Sequence, residues 1–424
     1  MSGMIARVGA GIWGVRDTKR APADRVQIAY AALALSTLAL VALGLVMVFS
    51  ATSVRTALAN GDEYAFLRRQ GMYVVVGLVL MWILARTRYD RLRHLVGPLM
   101  VGSAALLVAV LLIADPVNGA RRWFSWGSFG LQPSELAKIA LILWIALYLT
   151  RHPAPQTVRE LMKPIGWVVG ALVVLIFIEP DLGTTLAILA IVAALLLVSG
   201  TPARVLAKVG ALAGGLVFAA VWLEPYRRER FFSFLDPWAD PEGAGFQSVQ
   251  ALVAVGSGGW FGRGIGESVQ KVHYLPEATT DMIFAVIAEE LGLVGSIATI
   301  SLYAVFGWAG YTIALRCTDP FGKRVAVGFT TLVMTTATLN LSAVLGLAPL
   351  TGVPLPFISF GGSNLLSTLT AVGVILNIAR SDVRQASTAL PDRSRRNGGS
   401  RAARSGRRRV ADPPRRARAV RGVA

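Results

Sequence analysis

Long apolar segments are the feature of this 424-residue sequence that most limits its fold. A helix needs about 20 apolar residues to cross a bilayer, and ten segments approach or exceed that length. Only 16% of the residues are charged, against about 25% in soluble domains. The sequence therefore predicts an all-α polytopic membrane protein with about ten transmembrane helices. The predicted spans are residues 27–50, 71–86, 95–114, 134–150, 164–180, 182–199, 203–223, 283–315, 324–348 and 356–379.

Basic residues in alternate loops set the predicted orientation, because cytoplasmic loops carry an excess of Lys and Arg. Both termini are expected in the cytoplasm. One large extracytoplasmic loop, residues 224–282, then lies between helices 7 and 8. No cleavable signal peptide is predicted, because the first apolar run is too long and has no small-residue cleavage site. The cytoplasmic basic residues include Arg16, Lys19, Arg20, Arg86, Arg88, Arg91, Arg93, Arg151, Arg159, Lys163, Arg204, Lys208, Arg316, Lys323 and Arg324.

Charge and composition divide the chain into three predicted parts. These are a cytoplasmic segment at 1–26, a polytopic membrane domain at 27–380, and an Arg-rich tail at 381–424. The tail holds thirteen Arg and three Asp, a large share of the net charge of +18. With few bulky apolar residues it is expected to be disordered. It is interpreted as an anchor on anionic membrane lipids or as a docking segment for an acidic partner, and no nucleic-acid partner is predicted.

Several function classes find no support in the sequence. One cysteine and three histidines without an HExxH pattern argue against a cysteine- or histidine-built metal centre. The glycine-rich stretch 256–266 lacks GxGxxG and the Walker lysine, so neither nucleotide nor haem is expected as a cofactor. Residues 268–271 match SxxK, but no SDN or KTG motif accompanies them, and we interpret this match as chance.

Basic residues on the predicted outer side break the positive-inside pattern. They indicate that an anionic ligand binds there, or else that they pair with neighbouring acids. Both interpretations stay open from the sequence. The basic residues are Arg121, Arg122, Arg227, Arg228 and Arg230, and the neighbouring acids are Glu224, Glu229 and Asp236.

Asp281 is the main candidate for chemistry. Thr279 or Thr280 is expected to cap the helix that follows Pro276, which would place Asp281 in its first turn at the outer membrane surface. There Asp281 can act as a general base, hold a divalent cation, or merely complement the helix dipole. A helix N-terminus lowers a carboxylate pKa and burial raises it, so the sequence leaves these roles open.

Other acidic residues within the predicted helices have two interpretations each. Glu135 and Lys138 are three residues apart, so they can pair, or Lys138 can meet a diphosphate. Glu289 and Glu290 either line a proton or substrate path or form structural pairs, because carboxylates inside a membrane are costly.

The outer segments together resemble the SEDS family (FtsW, RodA and SpoVE), most of all its division-specific FtsW branch. The resemblance covers about residues 27–380. Two matching stretches, FSFLDPWADP and SVQKVHYLPEA, favour the FtsW branch over the RodA branch. The matching motifs are NGARRW at 118–123, LQPSELAK at 131–138, EPDLGTT at 179–185, YRRERFFSFLDPWADP at 226–241, GFQSVQALVAVGSGGWFGRGIGESVQK at 245–271, YLPEATTDMIFAVIAEELGLVG at 274–295 and GLAPLTGVPLPFISFGGSNLL at 346–366.

This resemblance implies a peptidoglycan glycosyltransferase that joins lipid II through β-1,4 links with inversion and releases undecaprenyl diphosphate. It implies that Asp281 is catalytic, either as a base or as ligand of Mg²⁺ or Mn²⁺. It also implies a class B penicillin-binding transpeptidase and other divisome membrane proteins as partners, at the septum of a bacterial cytoplasmic membrane. Candidate substrate-binding residues are Arg121, Arg122, Trp123, Glu135, Lys138, Arg227, Lys271, Glu277 and Ser363.

Two departures from the family pattern and three rival functions remain. The family often has His where Thr279 stands, so Asp281 has no adjacent imidazole, and Phe360 replaces a tyrosine. The alternatives to the FtsW-type polymerase are an elongation-type RodA polymerase, a lipid II flippase and a divisome scaffold. The flippase is disfavoured because the polar motifs lie on the predicted outer side.

Overall fold

A computed structural model describes residues 21–58, 62–116, 119–127, 129–273 and 275–388. Within them nine helices are long and apolar enough to cross a membrane, and α7 is a further apolar helix of 17 residues. The prediction of about ten helical spans is therefore confirmed. The helices are α1 Ala21–Leu58, α2 Ala65–Arg86, α3 Leu92–Ile113, α4 Pro133–Arg151, α5 Val158–Leu161, α6 Trp167–Ile178, α7 Leu182–Val198, α8 Ala203–Leu223, α9 Pro225–Leu235, α10 Phe246–Ser257, α11 Gln270–His273, α12 Ile283–Arg316, α13 Pro320–Val344 and α14 Gly362–Thr388.

The centre of the bundle is built from α4, α12, α13 and α14. α13 packs against α4, α7 and α12, while α12 also packs against α1 and α10. Apolar side chains with almost no exposure fill the centre, among them Phe284, Phe306 and Phe329. α8 lies at the periphery, and its exposed apolar side chains include Leu212 and Leu216.

Two helix starts, those of α13 and α14, differ from the sequence expectation for local reasons. α13 begins four residues early, because Asp319 caps it by accepting from the Gly322 N–H at 2.9 Å and Pro320 occupies the first turn. The last span was expected from 356, yet α14 begins at Gly362. The proline-containing segment 349–361 before it is turn and extended chain, because proline lacks the N–H that a helix interior needs.

A break divides α12 into two parts. Gly292 has φ 65, a left-handed conformation inside the helix that glycine adopts without a steric penalty. Residues 283–290 before it are all buried, whereas Leu293, Val294 and Ile297 after it are exposed. α12 therefore has a buried first part and a second part with an exposed apolar side.

Contacts between loops distinguish the two ends of the bundle. At the end assigned to the cytoplasm by loop charge, Arg93 pairs with Asp319 at 3.0 Å and Asn377 donates to the carbonyl of Leu84 at 2.7 Å. At the other end a short hairpin joins β1 (Phe124–Trp126) to β2 (Phe129–Leu131). Residues 1–20 and 389–424, which hold most of the predicted N-terminal segment and tail, lie outside the described residues, and those boundaries stay predictions.

Candidate active site

Asp281 lies in a turn before α12, and its predicted place in the first helical turn was wrong. The helix begins at Ile283, and no side chain caps it. Glu277 adopts φ 54, and its carbonyl accepts from the backbone N–H groups of Thr280 and Met282, at 3.1 Å each. The Thr280 hydroxyl donates to the Glu277 carboxylate at 2.7 Å, so it is used within the turn and does not cap the helix.

The backbone of this turn is fixed by α13 and by segment 349–361. Asn340 Nδ2 donates to the carbonyls of Asp281 at 2.7 Å and Val353 at 2.8 Å. The Phe360 N–H donates to the Thr279 carbonyl at 2.8 Å. The backbone of Asp281 is thus held in place, while the contact of its partly buried carboxylate with the Thr280 hydroxyl is long at 3.4 Å.

The surroundings of Asp281 raise the pKa of its carboxylate toward neutral pH, which suits proton transfer. The pKa of Asp281 is raised to about 6, mainly by burial and also by the negative charge of Glu277, while Arg230 opposes the rise. A carboxylate is most useful as a general base when its pKa approaches the working pH. At neutral pH the group is still mainly ionised, so it can accept a proton and hold it better than an exposed aspartate.

An apolar cavity of about 320 Å³ is lined in part by Arg230, which interacts electrostatically with Asp281. Arg228 lines the same cavity, and one guanidinium nitrogen of Arg230 lies 3.4 Å from the Leu350 carbonyl oxygen. Apolar walls with cationic groups suit an amphiphile with an anionic head. The wall residues from α7, α8 and α9 include Leu182, Leu186, Val217, Phe218, Trp222 and Phe231.

The predicted arginines at 121 and 122 contact backbone carbonyls. Arg122 donates to the carbonyls of Glu179 at 2.5 Å and Pro180 at 2.8 Å. Arg121 donates to the Leu111 carbonyl at 3.2 Å and stays exposed. Neither forms an ion pair with a carboxylate among the described residues. Arg122 therefore joins the loop before β1 to the turn before α7.

Glu179 is an acid that the sequence analysis did not single out for chemistry. Glu179 is fully buried, and neither of its carboxylate oxygens has a hydrogen-bond partner among the described residues. The pKa of Glu179 is raised to about 8, mainly by burial and also by the charge of Asp181, while Arg122 opposes the rise. Glu179 is therefore mainly neutral at pH 7. Its position after an apolar run was the only sequence signal.

Trp123 and Ser363 lie around the hairpin. The Trp123 ring is partly buried beside Gly130, where an added Cβ would approach it to 3.5 Å. The Ser363 hydroxyl donates to the Gly130 carbonyl at 2.8 Å and accepts from the Gln132 N–H at 3.1 Å. Ser363 thus holds the start of α14 against the hairpin, and its role in substrate binding stays a prediction.

Glu135 and Lys138 form a buried ion pair of 2.8 Å on α4. The Ser367 hydroxyl donates to the Glu135 carboxylate at 2.6 Å, and Asn364 Nδ2 contacts it at 3.4 Å. The structure therefore realises the pairing alternative for these two residues, deep in the bundle between α4 and α14.

Lys271 is buried in a second ion pair, 2.7 Å from Glu290. Its ammonium also donates to the Ser50 hydroxyl at 3.0 Å and to the Gly266 carbonyl at 2.7 Å. An ammonium has three protons, and three partners engage them. Lys271 therefore makes structural contacts, and its role in substrate binding stays a prediction.

The neighbouring Glu289 also makes structural contacts. It accepts from the Ser268 hydroxyl at 2.5 Å and the Val269 N–H at 3.1 Å, and Arg263 lies 3.7 Å away. For Glu289 and Glu290 the structural alternative thus accounts for the contacts observed. Of the remaining predicted residues, Glu277 lies beside Asp281, and the Arg227 side chain lies outside the described part of the structure.

Fold and site together define a multi-pass helical membrane protein with a pKa-shifted carboxylate at one end of its bundle. Residues 31–384 match the FtsW/RodA/SpoVE family model, described as cell cycle protein. The chain belongs to this family.

Its relatives include the probable peptidoglycan glycosyltransferase FtsW of Thioalkalivibrio sulfidiphilus, 43% identical over 83% of this chain and 89% of the relative. Stage V sporulation protein E of Bacillus subtilis is 39% identical over 82% and 96%.

Solved structures agree with this membership. A chain from a peptidoglycan synthase complex that coordinates polymerization and crosslinking aligns with a TM-score of 0.69 and 33% identity, covering 82% of this chain and 97% of its own. The rod shape determining protein RodA of Thermus thermophilus aligns with a TM-score of 0.60 and 30% identity, covering 82% and 96%. The predicted family is confirmed.

Proposed function

We propose that this protein polymerises lipid II into β-1,4-linked glycan strands as a peptidoglycan glycosyltransferase of the FtsW type. The observation that carries the proposal is the Asp281 carboxylate, with a pKa near 6, close to Arg230 and its apolar cavity. The names of the relatives support the reaction class.

In the proposed reaction the 4-hydroxyl oxygen of an acceptor GlcNAc attacks the anomeric carbon of a donor MurNAc. Asp281 accepts the hydroxyl proton while the bond from that carbon to the diphosphate oxygen breaks. The electron pair of the breaking bond leaves with undecaprenyl diphosphate, and attack from the opposite face turns an α-linked donor into a β-glycoside. Arg228 and Arg230 are the cations best placed to stabilise the departing charge, and the apolar walls beside them suit part of a prenyl chain.

A divalent cation remains part of the proposal. No group of three His, Cys, Asp or Glu suited to a metal occurs in the described part of the chain. Mg²⁺, however, is often held by one or two carboxylates with water and substrate phosphates completing its shell. Asp281 and Glu277 are the carboxylates that would hold it, and it would supply charge neutralisation at the diphosphate.

A reconstitution assay tests the function. Purified protein in liposomes receives labelled lipid II, and glycan chains and leaflet exchange are measured separately, with Asp281→Asn as the matched variant. The proposal expects chains from the unaltered protein and none from the variant. Leaflet exchange without chains would indicate the flippase, and equal activity of both proteins would remove Asp281 from the mechanism.

We also propose a single-pass class B penicillin-binding transpeptidase as the partner, packed on the membrane faces of α12 and α13, at the division septum of the bacterial cytoplasmic membrane. The alignment with a synthase complex supports a partnership between polymerisation and cross-linking. Bulky substitutions on those faces should reduce co-purification of the transpeptidase. Rescue of division rather than of elongation in depleted cells would favour the FtsW-type function over the RodA type.

A further inference from the structure

A glycine-rich loop, residues 258–266, docks against the break in α12. The Leu293 N–H donates to the Gly259 carbonyl at 2.9 Å, and the Val294 N–H donates to the Trp260 carbonyl at 3.1 Å. In the opposite direction the Arg263 N–H donates to the Glu289 carbonyl at 3.0 Å. Loop and helix thus satisfy each other's backbone groups at the point where the helix is interrupted.

Glycines allow this close approach. A Cβ added to Gly258 would lie 1.9 Å from the Ala288 carbonyl oxygen, and one added to Gly262 would lie 2.0 Å from that of Glu290. At Gly292 an added Cβ would lie 2.3 Å from the Gly262 nitrogen. Because backbone lies directly on backbone, the loop has a fixed orientation relative to α12.

The loop nevertheless directs three large apolar side chains away from the protein. Trp260 is 70% exposed, Phe261 83% and Ile265 60%. Clustered exposed apolar side chains of this size mark an interaction site. They adjoin Leu293 and Val294, which begin the exposed apolar face of the second part of α12.

The length of α12 sets the depth of this cluster. From Leu293 to Arg316 the helix has 24 residues, which span about 36 Å at 1.5 Å per residue. The hydrocarbon core is about 30 Å thick. With Arg316 at the cytoplasmic surface, Leu293 lies at the outer boundary of the hydrocarbon, and the loop bonded to it lies at the level of the lipid headgroups.

We propose that Trp260, Phe261 and Ile265 form an outer-leaflet anchor that inserts into the boundary between lipid headgroups and acyl chains. Tryptophan is enriched at this depth because its ring is apolar and its N–H is polar. The depth of the cluster, at the level of the lipid headgroups, and its exposed Trp260 favour lipid as its occupant over a protein partner. By holding loop 258–266 at the bilayer surface, the anchor holds the chain leading to Asp281 at the height of a lipid-linked headgroup.

A spin-label experiment measures the depth directly. A nitroxide is attached at Phe261→Cys in a Cys317→Ser background, and the full chain is reconstituted in phosphatidylglycerol and phosphatidylethanolamine vesicles. Trp238→Cys is the matched control, because Trp238 is also an exposed aromatic residue of loop 224–282 but lies between Asp236 and Asp240. We expect the ratio of oxygen to nickel-chelate accessibility to be severalfold higher at 261 than at 238. Equal ratios at the two positions would overturn the proposal.

Photo-cross-linking covers the case in which the cysteine background does not fold. Benzoylphenylalanine replaces Phe261 in the otherwise unaltered chain, and cells are irradiated with the native assembly intact. Phospholipid adducts at 261 support the anchor, whereas adducts to another protein, or no adduct, overturn it. Both measurements are independent of glycan synthesis, so the anchor and the proposed enzyme activity can fail separately.

Discussion

Acidic side chains have opposite environments in the buried lysine–glutamate pairs and in the turn around Asp281. Glu135 and Glu290 are each joined to a lysine within 2.8 Å and to at least one serine hydroxyl. Asp281 has no ion-pair partner within the ion-pair distance among the described residues, only a long hydroxyl contact and a raised pKa. A carboxylate that is fully paired is engaged by its structural partners, whereas one that is partly desolvated and not bonded to a lysine can exchange a proton.

Glu179 provides a third case. It is buried like the paired glutamates but has no hydrogen-bond partner for its carboxylate among the described residues, and its pKa of about 8 keeps it mainly neutral. Burial without a cation thus leads to protonation. Asp281 lies between the two extremes, with enough burial to shift its pKa and enough exposure to remain ionised at neutral pH.

The largest expected effect is loss of polymerisation on replacing Asp281. Asp281→Asn keeps the shape of the side chain but removes the base, and general-base catalysis contributes about 10²- to 10⁴-fold. We expect at least a 100-fold fall in the rate of glycan formation from lipid II, without a lower unfolding temperature. Asp236→Asn, an exposed change in the same loop, is the control. A similar loss in both variants would contradict a specific role for Asp281.

The next largest expected effect is a loss of folding stability on removing Lys271, the partner of Glu290. Lys271→Met leaves the Glu290 carboxylate buried without its cation, which costs about 3–5 kcal/mol in comparable pairs. We expect a clear fall in the free energy of unfolding in detergent, largely recovered by the double variant Lys271→Met with Glu290→Leu. Lys208→Met, an exposed lysine on α8, should change stability little. Unchanged stability of Lys271→Met would show that the ion pair does not hold loop 258–266 and α11 in place.

The raised pKa of Glu179 predicts that the stability of the folded protein depends on pH. Its pKa is raised in the folded protein, so its contribution is fully present below its unfolded pKa near 4.5 and is lost as pH rises through about 8. Within that window the folded protein binds one proton that the unfolded chain does not. The free energy of unfolding therefore changes by about 1.4 kcal/mol per pH unit. Glu179→Gln should remove this slope in thermal unfolding measured between pH 5 and 8. A slope that persists in the variant would assign it to other groups.

The smallest expected effect is a shift of the pH–rate profile. Polymerisation should fall as pH drops through about 6, because Asp281 becomes protonated. Glu277→Gln removes a negative charge that raises this pKa, so the acidic limb should move to lower pH by a fraction of a unit. Glu242→Gln, an exposed acid of the same loop, should leave the limb in place. A shift to higher pH in Glu277→Gln would contradict the electrostatic account.

The sequence was most informative about the membrane spans, because apolar length is a local property. It also indicated the Glu135–Lys138 pair, which its three-residue spacing on a helix makes available. It was wrong about the cap before α12, since Thr280 bonds within the turn. It could not relate Lys271 to Ser50, because 221 residues separate them in the chain.

By itself the sequence determined the helical membrane class, the alternation of its loops and the resemblance to the family, because hydropathy, loop charge and motifs are all readable along one chain. Only the tertiary structure decided which acids are paired with lysines and which are left with a raised pKa. The physical reason is that desolvation and charge pairing depend on neighbours that the fold brings from α1, α13 and segment 349–361.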